Sequence, residues 1–415
     1  MATVEAAGEC APAWRGGFGR LWSAAVLSSF GDALRTAALP LLAVSLTDDP
    51  LLIASVTACG YLPWLVFGLL GGAVADRVDQ RRAMWAVDAV RGLAVAGFAV
   101  AVGLGHGSIA LLIALAFALT TLQTLFDNAA TALLPTLVGP DELGSANARL
   151  LTGQRVAGGL LGGPVVALLL TAGVAAPFAV DAATFLAAAA LVASLRPAAP
   201  RQREPRAAGS TLRREIAEGL RALARDRLLR GLCAATALCN IGMGALIATL
   251  VLLVTGWLDA GTTGYAAVIT AYTVGSLAGG AVHRRLVART GYARGMLLAG
   301  TVQTGALIVM GSVRSLPVLA ATLAVFGFMG MVWNVSSQTL MQRRSPAEML
   351  GRVSSAFRTL GVAGAPVGAL LGGAVAAAWG ANTPALLAAA CFVLSVAALI
   401  PGLHADDRSG QPLIN

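Results

Sequence analysis

Stretches of roughly twenty apolar residues, the length that crosses a bilayer as a helix, recur from one end of this 415-residue chain to the other. That feature decides the fold class. Only 12% of the residues are charged, against about 25% in soluble domains, so the polar skin that two or three soluble cores would need is absent. Backbone groups in lipid need internal partners, and these runs are too long and too uniformly apolar for a β-barrel. The expectation is an all-α integral membrane protein. Twelve transmembrane helices are predicted, at about 19–46, 51–75, 83–105, 107–137, 150–172, 175–196, 230–257, 263–283, 293–312, 315–341, 353–379 and 382–402.

A formal charge of +9 raises nucleic acid as a partner, but the positions of the charges argue against it. Arginines gather in alternate loops, at Arg77, Arg81, Arg82, Arg149, Arg284, Arg285, Arg289, Arg294, Arg343, Arg344 and Arg352, with ten more from Arg196 to Arg230. The opposite loops hold only Arg314, beside Asp48, Asp49 and Asp259. The positive-inside rule then puts both termini in the cytoplasm of a multi-pass protein of the inner (plasma) membrane. All 29 basic residues are arginine. A Walker A loop requires its lysine, so the chain cannot build that ATP site. Five cysteines without CxxC spacing, and three histidines at segment edges or in the tail, hold no metal or cofactor and support no enzyme.

The chain reads as a duplication. The turn Gly71–Arg82, GGAVADRVDQRR, ends one apolar run, and its first four residues return at Gly279–Val282, half a chain later and again at the end of an apolar run. Asn128–Glu142 aligns with Asn334–Glu348, and Gly159-x-x-x-Gly163-Pro164 with Gly361-x-x-x-Ala365-Pro366, at nearly the same interval. Six helices repeated in the same orientation give two bundles about an axis along the membrane normal, with a cavity between them. The expected divisions are a tail at 1–18, a six-helix bundle at 19–196, a linker at 197–229, a second six-helix bundle at 230–402 and a tail at 403–415. Within the linker, Leu212, Ile216, Leu220, Leu223 and Leu228 fall near helical spacing, with arginines opposite. That pattern predicts an amphipathic helix lying on the inner leaflet, the alternative being a docking surface.

At these residues the chain resembles the major facilitator superfamily over all twelve spans. Gly72-x-x-x-Asp76-Arg77-x-x-x-Arg81-Arg82 is similar to the family signature between helices two and three, with Asp79 where the family usually has glycine. Gly159–Pro164 resembles the helix-five signature of antiporters. Ser28–Ala43 and Asp88-x-x-Arg91 look most like macrolide-efflux and siderophore-export proteins. The resemblance implies alternating access without ATP by a monomer, a cytoplasmic gate at Gly72, Asp76, Arg77, Arg81 and Arg82 that latches on helix eleven, and a cavity lined by helices one, four, seven and ten. Gln123, Asn128, Asn240, Trp333, Asn334 and Gln338 would then face the substrate, taken as a small amphipathic and often cationic organic molecule.

Acids within a span are costly and usually functional. Asp32 lies near the middle of span one with Arg35 on the same face, and Asp127 lies about 15 Å from the inner end of span four. An arginine favours the charged form of its neighbour, so Asp127, which has no arginine within a turn, is the first expected proton carrier and the Asp32–Arg35 pair the second. Asp88–Arg91 and Asp181 read as static helix contacts. Gly159, Gly163 and Pro164 read as a close-packed kink. The expected function is export of a small organic molecule in exchange for protons, with a symporting importer or a non-transporting sensor as alternatives.

Overall fold

A computed structural model describes residues 17–67, 79–138, 143–195, 212–345 and 349–408. No strand occurs among them. The first half contributes α1 (Gly17–Leu46), α2 (Pro50–Phe67), α3 (Gln80–Gly103), α4 (Ile109–Leu137), α5 (Leu143–Gln154), α6 (Gly162–Ala172) and α7 (Ala176–Ala193). The linker helix is α8 (Leu212–Arg225). The second half contributes α9 (Arg227–Val251), α10 (Gly261–Thr290), α11 (Tyr292–Ser312), α12 (Leu316–Arg344), α13 (Leu350–Trp379) and α14 (Thr383–Arg408). Among the described residues nine helices are long and apolar enough to cross a membrane, or ten if the bent α5–α6 pair is one span. The helix α1 is not one of the nine; it carries Asp32 and Arg35 amid apolar residues.

Helix pairings repeat between the halves. The helix α1 packs on α7, α2 on α4, and α3 on α7; correspondingly α9 packs on α14, α10 on α12, and α11 on α14. Across the halves α2 meets α13, and α6 meets α10. Small residues make the close crossings possible. Gly364, Gly368 and Gly372, four residues apart on α13, lie against Ala237, Ile241 and Ala245, four apart on α9. Gly279, which opens the second copy of the repeated turn, lies on the backbone of Phe328 in α12.

Between α5 and α6 runs a π-helical turn, Arg155–Leu161, and the axis bends by 44°. Pro164 cannot donate to the carbonyl four residues back and its ring crowds that carbonyl, so the backbone ahead of it opens into the wider turn. Gly158 and Gly162 face α1, and Gly159 faces Thr273 of α10, so the bend touches both halves. The surroundings of Gly163 lie outside the described residues.

The linker helix departs from expectation in two ways. It ends at Arg225, because the side chain of Asp226 accepts from the N–H of Leu229 and starts α9 there; Leu228 therefore belongs to the first turn of α9. The helix α8 also docks on protein. Gly219 sits against the backbone of Arg352 in α13, Leu223 is buried, and Arg352 Nη1 donates to Glu218 Oε2 at 2.6 Å. Arg344 Nε reaches Asp226 Oδ2 at 2.7 Å. Two ion pairs thus fasten α8 and the start of α9 to the end of α12 and the first turn of α13.

The α9–α13 crossing has no room for a side chain at Gly368. Gly368→Leu should cost about 1–3 kcal/mol or more by overpacking and lower the unfolding midpoint in detergent. Gly305→Leu, at a glycine with open space around it, should leave that midpoint within a degree or two.

Candidate functional site

Three helices of the first half bring five charged side chains together inside the apolar bundle. Arg35 Nη2 donates to Asp32 Oδ1, and its Nε donates to Asp181 Oδ2 on α7 at 3.1 Å. Arg91 on α3 donates through Nη2 to both oxygens of Asp32, at 2.9 and 3.1 Å, and through Nη1 to Asp88 Oδ1 at 3.3 Å. The order is Asp181, Arg35, Asp32, Arg91, Asp88. Each arginine is shared by two acids, and Asp32 by two arginines.

Burial is graded along this chain. The side chains of Asp88 and Asp181 are 0% exposed and that of Arg91 is 1%, whereas Arg35 is 12% and Asp32 is 27% exposed. The guanidinium of Arg91 lies over the Phe185 ring, 3.9 Å from its centroid, which supports the cation on its remaining face. Gly31 explains how Asp181 fits: a Cβ there would collide with Asp181 Oδ1 and Thr184 Oγ1, so only glycine lets α1 and α7 close around the carboxylate. Asp181 Oδ1 receives no hydrogen bond among the described residues. An isolated buried charge is costly, so one arginine holding only one oxygen of Asp181 leaves that group poorly compensated.

Arg35 also stands on the wall of a cavity of about 530 Å³ between the halves. Among the described residues it is the one charged residue lining that space. Tyr61 and Trp64 from α2, Tyr265 and Tyr272 from α10, and Phe326 from α12 give the wall its aromatic character, while Met243 and Leu250 of α9 fill the far side. Thr36 and Pro40 of α1 line it too. Proline has no N–H to give the Thr36 carbonyl, so a backbone acceptor is left at the wall. Asp32 lies one turn before Thr36 on the same face of α1 and is not itself among the lining residues.

The second half is neutral in the corresponding place. Gly242 packs on Ala388 and Phe392 of α14 as Gly31 packs on α7. Where the first half has its acids and arginines, Cys239 Sγ lies 3.1 Å from Ser395 Oγ, Ser395 Oγ donates to the Ala235 carbonyl, and Gln303 donates to the Phe326 carbonyl at 3.3 Å.

A sequence profile of the Major Facilitator Superfamily matches residues 21–369. The chain belongs to the major facilitator superfamily. Superfamily members that it resembles in sequence include an uncharacterized MFS-type transporter, y4rN, of Sinorhizobium fredii, 29% identical over 85% of this chain and 86% of that protein. The enterobactin exporter EntS of Citrobacter koseri is 27% identical over 74% of this chain and 72% of its own length. Among solved structures the fold is similar to that of the nucleoside transporter NupG, with a TM-score of 0.76 at 12% identity, covering 92% of this chain and 99% of that one. A bacterial homologue of ferroportin in an inward-facing state matches with a TM-score of 0.72 at 14% identity, over 93% of this chain and 98% of that one. These two likenesses show the fold alone. The protein is a multi-pass membrane transporter of this superfamily.

Of the expected coupling residues, Asp32 and Arg35 are in the charged set; the side chains of Asp127 and Asn128 lie outside the described residues. The cavity wall differs from expectation. None of Gln123, Asn240, Trp333, Asn334 and Gln338 lines the 530 Å³ space. Asn240 returns its amide to the Thr236 carbonyl of its own helix at 2.9 Å, Trp333 is buried against Gly300 of α11, and Asn334 and Gln338 are exposed. Of the expected gate, Gly72, Asp76 and Arg77 lie outside the described residues. Arg81 bonds the last carbonyls of α7, at Val192 (3.4 Å) and Ala193, and Arg20 bonds that of Ser194 at 2.6 Å. Both satisfy helix-end acceptors. Arg82 is exposed and pairs with Asp79 at 3.7 Å. Asp79, where the family usually has glycine, caps α3 by accepting the N–H of Arg82.

Sequence reading missed that Asp88, Arg91 and Asp181 join Asp32 and Arg35. Each lies in a different span from Asp32, and no spacing within one span joins them to it.

Removing Arg35 leaves Asp32 and Asp181 facing each other without their common cation. Arg35→Gln should therefore destabilise the folded protein by about 3–5 kcal/mol. Adding Asp181→Asn to it should restore most of the loss, as measured by reversible unfolding in mixed micelles. An equal loss in the double variant would show that the two groups are not coupled.

Proposed function

We propose that this transporter has twelve spans with both termini in the cytoplasm and exports a small aromatic molecule in exchange for protons. One observation carries the reading: Arg35 touches the cavity on one side and holds the buried Asp181 on the other. A group that faces both cargo space and a fully buried acid links the protonation of that acid to what occupies the cavity.

The direction of coupling follows from competition. A cargo hydrogen-bond donor seeks the ionised carboxylate of Asp32, and a proton arriving on the Asp32–Arg35–Asp181 set removes that charge. Two ligands that compete for one state are exchanged rather than carried together. The aromatic wall supports a planar, amphipathic cargo, and the lone cationic wall residue speaks against the cationic cargo expected from sequence. The identity with enterobactin exporters supports the outward direction.

The same wall favours a second reading for one class of cargo. An anion bound to Arg35 would free the carboxylates to take up a proton, so cargo and proton would travel together. The two readings differ in a measurable sign: cargo binding releases protons in the first and consumes them in the second.

The test uses inside-out vesicles acidified within and offered fluorescent aromatic amphiphiles. Exchange predicts that an acid interior drives accumulation and that collapsing the gradient ends it. Asp181→Asn and Asp32→Asn should abolish the response to the gradient, with at least tenfold lower accumulation, about 1.4 kcal/mol or more of lost driving coupling. Loss in Asp127→Asn alone would move the proton to Asp127. Accumulation driven by an alkaline interior would establish the importer, and absence of flux for every probe would favour a sensor.

A further inference from the structure

At the end of the molecule where the loop arginines gather, α10 runs to Thr290, turns at Gly291 with φ at 76°, and returns as α11 from Tyr292. This turn and the end of α12 enclose a cavity of about 310 Å³ lined by Arg284, Arg289, Arg294 and Arg343, together with His283 and Tyr292. Among the described residues no carboxylate lines it. All four arginines are exposed, and among the described residues none of them forms an ion pair. The neighbouring Arg344, by contrast, is paired with Asp226.

The site has internal supports. Arg343 lies over the Tyr292 ring, 4.9 Å from its centroid, and His283 Nε2 is 3.2 Å from Ser336 Oγ. No side chain caps the first turn of α11, so its N–H groups and the positive end of its dipole add to the same region. Four unpaired guanidinia beside a helix N-terminus repel one another until an anion enters. The planar fork of arginine fits phosphate oxygens in pairs.

We propose that this pocket holds the phosphodiester headgroup of an anionic phospholipid. The choice of a lipid over a soluble phosphate rests on what adjoins the arginines. On the face of α11 that carries Arg294, the next turn presents Leu298, 41% exposed, and further along Ile308, 48% exposed. A headgroup in the pocket would therefore lay its acyl chains on an apolar stripe. Basic pockets between spans at the inner leaflet bind such headgroups. The inference is independent of cargo and coupling.

The full chain in phosphatidylcholine nanodiscs, with spin-labelled phosphatidylglycerol or spin-labelled phosphatidylcholine, provides the test. The wild type should immobilise phosphatidylglycerol about tenfold in preference to phosphatidylcholine. The preference should fall near one in the triple variant Arg284→Gln, Arg289→Gln, Arg294→Gln and stay unchanged in Arg314→Gln. Independently of any variant, phosphatidylglycerol should raise the melting temperature of the wild type in detergent more than phosphatidylcholine does. Equal immobilisation of the two lipids would overturn the proposal, as would an equal loss in Arg314→Gln. Displacement of the labelled lipid by millimolar inorganic phosphate, with saturable phosphate binding, would assign the pocket to a free anion instead.

Discussion

Holding charge inside an apolar bundle is the constraint on which this structure turns. A carboxylate in the interior is tolerated only while cations and hydrogen bonds compensate for lost water. In this transporter the compensation is uneven. Asp32 is gripped by two arginines, whereas Asp181 has one, bonded to one oxygen. The group that compensates Asp181 is the same one that faces the cavity, so any event in the cavity that draws Arg35 away raises the cost of keeping Asp181 ionised. In the proposed exchange this is the route from cargo to proton, and it needs no motion larger than a side-chain shift to begin.

The rest of the first half is shaped to keep that arrangement. Gly31 brings α1 and α7 close enough for Arg35 to reach Asp181, and Phe185 covers the face of Arg91. The second half repeats the helix pairings while replacing ions by thiol, hydroxyl and amide groups. The two halves thus differ within their bundles: the first carries the buried charges, the second has neutral polar groups there, and both give aromatic residues to the cavity wall. The α9–α13 glycine crossing and the bend between α5 and α6 bring helix backbones into close contact with few side chains between them.

Much of the fold was legible because it follows from solvent. Long apolar runs in lipid leave helices as the spanning structure, and the repeat of Gly71–Val74 at Gly279–Val282 pointed to the recurrence seen in the helix pairings. Asp32 and Arg35 were legible as a pair since helical spacing puts them on one face. The convergence of Asp88, Arg91 and Asp181 on that pair was not, because it depends on the relative depth and rotation of three helices far apart in sequence. The surroundings of Trp333 were not legible for a related reason. An aromatic residue in a span reads alike whether it faces cargo or a glycine such as Gly300 on a neighbouring helix. The linker helix was expected on lipid or as a docking surface; its Leu223 is buried and its Glu218 meets Arg352 of α13, contacts fixed by tertiary packing rather than by its own periodicity.

Infrared difference spectroscopy of the purified protein taken through a pH titration tests the central claim most directly, because it observes the carboxyl groups themselves. The account predicts a protonated-carboxyl band that grows on acidification, vanishes in Asp181→Asn, and shifts when Arg35 is replaced by glutamine. A band unchanged in Asp181→Asn, or one lost only in Asp127→Asn, would contradict it.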